Sequence, residues 1–327
     1  MADIARRFEK RVESPDEGMR VDRWIATHCP EFPRSAASDE GTSIVVNGNP
    51  AKKSKRLAEG DTVCVEWTES VFDRIEGQSI ALDVLHEDED LLVIHKPQGL
   101  VVHPGAGNPD GTVVNALVHR YGESFFTLKQ GEEDADDEET ERTSLRPGIV
   151  HRLDKETSGV MAIALNRESH QELSGQFKDR TVEKHYIAIV CGRPSRKRGR
   201  IETMLVRDAR DRKKFTVGRE GRGKHAVTDY LVLRQWEHHA LVRVRLLTGR
   251  THQIRVHFRS IGCPILGDPL YGKRDSRFPD ATLMLHAFSL ALDHPRTKQR
   301  MRFRAPMPAR FKAVLLHLIG KEQKPLK

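Results

Sequence analysis

The residues best suited to chemistry stand together in Pro147-Gly148-Ile149-Val150-His151-Arg152-Leu153-Asp154-Lys155-Glu156-Thr157-Ser158-Gly159-Val160. Arg152 and Asp154 are alternate residues, so in extended chain they point to one side. A cation that can hold phosphate would then share a cleft with a carboxylate that can act as nucleophile or base. The apolar run from Val160 to Leu165 has the length and composition of a buried strand. It places the polar centre on a loop at the edge of a rigid sheet, where catalytic side chains are commonly held. The same residues also read as a hairpin turn, with Asp154 capping local structure and Thr157-Ser158-Gly159 making the bend.

The string from Gly148 to Gly159 resembles the signature of RluA-type RNA pseudouridine synthases. That resemblance implies a catalytic role for Asp154. Glu183 to Val190 is similar to the family's second motif, whose tyrosine, here Tyr186, contacts the target base. Leu247 to His257 is similar to its third, whose final arginine, here Arg255, pairs with the aspartate. Lys96 to Pro104, Gly267 to Gly272 and Leu285-His286-Ala287 continue the likeness. The resemblance implies isomerisation of uridine to pseudouridine in structured RNA. It further implies substrate contacts from His151, Arg152, Thr157, Arg250 and Leu285. Leu285 would hold one face of the base, and Arg152 would fill the space left by a flipped nucleotide. The reaction oxidises nothing and donates no group, so no cofactor is expected. Large-subunit ribosomal RNA is the first choice of substrate and transfer RNA the second. The implied fold is α+β. A mixed, largely antiparallel sheet is flanked by helices and loops, and a small α/β RNA-binding module precedes it.

Charge agrees with an RNA partner. The 327 residues hold 55 lysines and arginines against 47 acidic residues, a net +8 that favours a polyanion. No run of eighteen apolar residues and no signal-peptide core occurs, so a cytoplasmic protein without a membrane span is expected, as a monomer. Cys29, Cys64, Cys191 and Cys263 are widely spaced and read as small buried apolar residues. No metal is indicated.

The elements that must position these residues can be taken in order. Residues 1–18 read as a charged lead, and 19–70 as the small module. In it Val21, Trp24 and Ile25 have helical spacing, Asn47-Gly48 marks a turn, and Val63, Val65 and Trp67 alternate as in a strand. The segment from Ala36 to Gly41 has little to bury, where the family has a second helix. Arg34, Lys52 and Lys53 are the expected RNA-backbone contacts. The catalytic domain is expected over 80–327, with Asp88 to Asp90 a solvated turn and a helix from Thr112 to Tyr121. A like-charge block at 131–142 reads as an acidic insertion. Asn166 is an N-cap for a helix reaching Lys178. Gly218 to Lys224 has P-loop spacing but lacks the following hydroxyl, and reads as a hairpin loop. Ile254, Phe258 and Ile261 mark one face of a helix, with Thr251, Arg255 and Arg259 on another.

Two other classes of function compete. A hydrolase built on Ser158 and His151 lacks the Gly-x-Ser-x-Gly elbow. A catalytically silent RNA-binding protein would not need Asp154, Tyr186 and Arg255 together.

Overall fold

The computed structural model describes residues 2–29, 32, 42–71, 75–105, 107–122, 147–211, 213–219 and 221–322. The acidic block at 131–142, Arg34 and the Ala36 to Gly41 segment lie outside these. The chain forms two units, divided after Ile75 among the described residues.

In the first unit, alternation and helical spacing meet in one small core. Strands β1 (Ala2–Arg11), β2 (Ser43–Val46), β3 (Asn49–Pro50) and β4 (Thr62–Val71) make a sheet of order β1-β4-β2-β3. Helix α1 (Val21–His28) contributes Val21, Trp24 and Ile25 to a core shared with Val46, Val63, Val65 and Trp67. Asn47 (φ 54°) and Gly48 (φ 77°) both take the left-handed backbone that a two-residue hairpin turn requires. Residues 2–11 correct the expected charged lead: they are a strand paired along its length with β4. The charges are accommodated across the strands, because Arg7 sits opposite Glu66 and bonds to it as well as to Glu9. Phe8 packs towards Trp24 on the core side.

The second unit is built on one sheet. Its strands are β5 (Asp83–Glu87), β6 (Leu91–Lys96), β7 (Ser158–Ala164), β8 (Glu183–Cys191), β9 (Arg198–Arg207), β10 (Phe215–Val217), β11 (Lys224–Gln235), β12 (His239–Leu246), β13 (Leu285–Asp293) and β14 (Arg300–Arg304). The order is β10-β9-β11-β12-β8-β13-β7-β6-β5, with β14 on β13. Pairing is antiparallel except for the parallel contact of β7 with β13, so the sheet is mixed and largely antiparallel, as expected. Helices α2 (Val113–Tyr121), α3 (Arg167–Lys178), α4 (Gln253–Ser260) and α5 (Ala309–Glu322) flank it. Every residue of β7 is buried, which explains its unbroken apolar run. The Asn166 side chain accepts from Ser169 N and caps α3, and Thr112 with Asn115 forms a capping box on α2.

Gly159 lies where β7 and β13 run parallel. It has φ +129°, and a Cβ there would stand 2.2 Å from Ala287 O. Gly159→Ala should therefore cost at least about 2 kcal/mol of stability, from backbone strain and displacement of β13. Urea denaturation measures this, and a loss below about 0.5 kcal/mol would show that β13 yields freely.

Three smaller expectations change. Asp90 is buried rather than solvated, and accepts from Asn166, Ser169 and Arg296. Asp88 takes the Asp90 and Leu91 N–H groups with one oxygen and pairs with His86 and His294 through the other. Burial opposes its charge, yet these bonds pull its pKa down to about 2. The turn is thus a joint between β6, the start of α3 and the loop after β13. Ile261 caps the end of α4 and is 38% exposed, so the apolar stripe ends at Phe258. Cys29 and Cys263 are buried, but Cys64 and Cys191 are half-exposed.

Candidate active site

Asp154 sits in the loop leading into β7, closed by a bond from Thr157 N to Asp154 O of 3.0 Å. Thr157 itself is buried. The loop is tied to the end of β6 by Lys96, a wholly buried lysine. Its Nζ donates to Pro97 O (2.9 Å), Leu100 O (2.8 Å) and Lys155 O (3.2 Å). Three acceptors match the three donors of an ammonium group. Burial pushes Lys96 down to about 7, against the pull of the Asp154 and Glu156 carboxylates. His151 anchors the other end. Its ring stacks on Phe177 at 4.5 Å, and its Nε2 accepts the Ala162 N–H at 2.9 Å. Burial holds that imidazole neutral, near 3. Its acceptor nitrogen is thus engaged by the sheet.

The carboxylate of Asp154 keeps 20% of its surface exposed. Arg255 NH1 donates to its Oδ2 at 3.2 Å. Arg255 is 3% exposed and comes from the first turn of α4. Its other two nitrogens form a fork on Asp268: Nε to Oδ2 and NH2 to Oδ1, both 2.8 Å. Asp268 Oδ1 is fixed in turn by Leu270 N and Tyr271 N. The Tyr271 ring lies under the guanidinium at 5.1 Å. Its hydroxyl accepts from Phe215 N and pairs with His252 Nδ1. His252 Nε2 stands 3.9 Å from Asp154. Burial pushes the Asp154 carboxyl up, but His252, Arg255 and Arg152 beside it more than offset this and hold it below the usual carboxylate range. An ionised carboxylate is thereby kept in a confined cleft.

Tyr186 stands on β8, 7% exposed, opposite Val244 of β12 and Ala287 of β13. Burial and the nearby Asp154 carboxylate push its phenol well above the usual range, so it remains a neutral hydroxyl. Leu285 is buried at the start of β13, paired with Ala188. Arg250 donates through Nε to His225 O at 3.3 Å. Asp154, Arg152, Tyr186 and Arg255 are thus gathered from three separate stretches of sequence. Lys52 and Lys53 belong to the first unit, where with Arg20, Thr42, Ile44, Ala51 and Ser54 they line a concavity of about 410 Å³.

Sequence reading placed the Lys96 to Pro104 motif on the active-site side but gave no role to Lys96, His252, Asp268 or Tyr271. A signal existed for Asp268: a buried arginine has five donors, and one carboxylate cannot satisfy them. Among the described residues two groups have metal-ligand chemistry, Cys191 with His239 and Asp275, and Asp88 with Asp90 and His294. In both, hydrogen bonds already join or engage the donor atoms, and neither includes Asp154.

Residues 90–260 match the family model described as RNA pseudouridylate synthase. The chain belongs to that family.

As an RNA pseudouridine synthase it is an isomerase acting on RNA. An "Uncharacterized RNA pseudouridine synthase" of Aquifex aeolicus is 40% identical over 95% of this chain and 96% of its own length. Two proteins named "Ribosomal large subunit pseudouridine synthase D" are similar. That of Zymomonas mobilis is 41% identical over 89% of this chain and 91% of its own, and that of Borreliella burgdorferi 35% over 93% and 91%. Among solved structures, "Human RNA Pseudouridylate Synthase Domain Containing 4" matches 73% of this pseudouridine synthase and 93% of itself, with TM-score 0.54 and 28% identity. No helix among the described residues is long and apolar enough to cross a membrane.

Proposed function

We propose that Asp154 carries the isomerisation of uridines in large-subunit ribosomal RNA. The observation that carries this reading is the Asp154 carboxylate, 20% exposed and held ionised beside a buried arginine, with Tyr186 on β8. The reaction breaks the bond from N1 of the base to C1′ of ribose. It then makes a bond from C5 to C1′, moves a proton from C5 to solvent and leaves one on N1. Asp154 serves either by attacking or by taking a proton from ribose, and both roles need the ionised carboxylate. Tyr186 stacks on the base, with Leu285 beneath it. Arg152 enters the stack in place of the flipped nucleotide. Arg255 compensates the charge of Asp154.

The names of the relatives from Zymomonas mobilis and Borreliella burgdorferi support ribosomal RNA as the substrate. Mapping pseudouridines in RNA from cells with and without the gene tests the assignment. Specific large-subunit sites should lose pseudouridine without the gene and regain it when the wild-type gene is restored. Loss confined to transfer RNA would overturn the substrate, and no loss at any site would overturn the reading.

A further inference from the structure

His252 stands beside Asp154 without a part in the reaction as assigned. It caps the start of α4 in the left-handed backbone region, with φ 55° and ψ 16°. That conformation is uncommon for a residue with a Cβ, and it persists where surrounding contacts hold it. Here Tyr271 holds it: the tyrosine hydroxyl lies 2.8 Å from His252 Nδ1, and the two rings meet edge to face at 5.5 Å. Phe215 of β10 packs against the imidazole in the same manner.

These bonds also choose the tautomer. The Tyr271 oxygen accepts the Phe215 N–H at 2.8 Å, which leaves its single hydrogen to donate to His252 Nδ1. An accepting Nδ1 puts the proton of a neutral imidazole on Nε2. The far side of the ring agrees, because Nε2 faces the Asp154 carboxylate, which attracts an N–H and repels a lone pair. Burial, with Arg255 and Arg152, lowers the pKa of the ring against the pull of Asp154 and Asp268, which keeps it neutral at pH 7.

Distance decides what that N–H can serve. Nε2 stands 3.9 Å from Asp154 Oδ2, too far for a hydrogen bond, and among the described residues it has no other partner. Both side chains keep some surface exposed, 16% and 20%. Two atoms so separated can each lie about 2.8 Å from one oxygen set beside them. That oxygen must accept from an N–H and donate to a carboxylate, which a hydroxyl does and a phosphate or a carbonyl does not. In a nucleotide within an RNA chain, the free hydroxyl is the 2′-OH of ribose. Arg255 also donates to Oδ2, so Oδ1 stays available to the reaction.

We propose that His252 and Asp154 together hold the ribose 2′-hydroxyl of the target uridine, His252 donating to its oxygen and Asp154 Oδ2 accepting its hydrogen. The proposal rests on the reading that this cleft isomerises uridine in RNA. The contact places the sugar as Tyr186 places the base, and it makes the cleft select ribose over deoxyribose at that nucleotide.

The test uses the full chain and the mapped RNA, ligated so that the target uridine carries ribose or 2′-deoxyribose and tritium at C5. The quantity read is the ratio of kcat/KM for the two RNAs. The sugar's own reactivity is common to every variant and cancels when ratios are compared. His252→Asn suits the left-handed backbone and keeps an acceptor for Tyr271, but its amide is too short to reach the hydroxyl. The ratio should fall about tenfold from its wild-type value. His252→Gln, whose longer amide stands in for Nε2–H, should recover most of it. Tyr271→Phe keeps the ring and frees the tautomer, so the ratio should fall at least about threefold. Circular dichroism reports folding, and if the asparagine variant is unfolded the phenylalanine variant decides. An unchanged ratio in a folded variant, even with a lower rate on both RNAs, would make His252 a support of α4 alone and overturn the contact. Wild-type protein that releases no tritium from the ribose form would instead sink the catalytic reading.

Discussion

Asp154→Asn should give a folded protein that still binds RNA but loses at least about a thousandfold in tritium release, more than 4 kcal/mol of barrier. The substitution keeps shape and the contact with Arg255 NH1, and removes only the charge. Folding is protected because Arg255 retains its two bonds to Asp268. The prediction has a pH counterpart. Asp154 is held below the usual carboxylate range, so wild-type turnover should persist as pH falls through that range and fail only below it. The same depressed pKa stabilises the fold above the carboxylate's ordinary value, a contribution lost as pH falls through the folded value. Release by the asparagine variant within about tenfold of wild type would remove Asp154 from its assigned role.

Arg255→Ala carries the second large effect, because two carboxylates depend on one guanidinium. Its removal leaves Asp268 buried without its fork and Asp154 without its closest hydrogen-bond donor among the described residues. Breaking a buried pair from one side costs about 3–5 kcal/mol, so urea denaturation should show a loss of that order. Burial then dominates at Asp154, and its pKa rises. The acid limb of the rate profile should move to higher pH, along with a lower plateau. Arg255→Lys should recover part of the stability and little of the rate, since a point charge cannot reach both carboxylates at once. A folded alanine variant with an unmoved acid limb would show that Arg255 does not set the charge of Asp154.

Much of the frame could be read from local pattern, where local chemistry decides. The buried run of β7, the Asn166 cap and the Asn47-Gly48 turn each follow from a few adjacent residues. Strand β1 was hidden because six of its ten residues are charged, and what steadies it is Glu66 across the sheet. Asp154, Tyr186 and Arg255 were singled out through the resemblance of their motifs to those of the family, since a tyrosine on a sheet face alone reads as core. Asp268 was not, since its role depends on a loop that turns the aspartate back onto α4. The structural part played by His151 was hidden for a related reason: nothing local shows that its ring stacks on Phe177. The run of five polar and charged residues from Asp154 to Ser158 says where chemistry is, but not which of its members hold the loop in place.

The parallel contact between β7 and β13 has a consequence in time. Ser158 meets His286, Asp154 meets Arg255 across 101 residues, and Arg310 reaches back 152 residues to Ser158. Contacts of such separation are slow to form, because loop closure must be achieved before they return any stability. The cleft should therefore form late in the growing polypeptide. While the ribosome is still making β13, the Asp154 loop has neither its neighbouring strand nor the Arg310 contact. Catalytic competence should arrive as one of the last events of folding, after the chain's C-terminal third has been synthesised. A nascent copy should thus lack the assembled cleft until its last strands are in place.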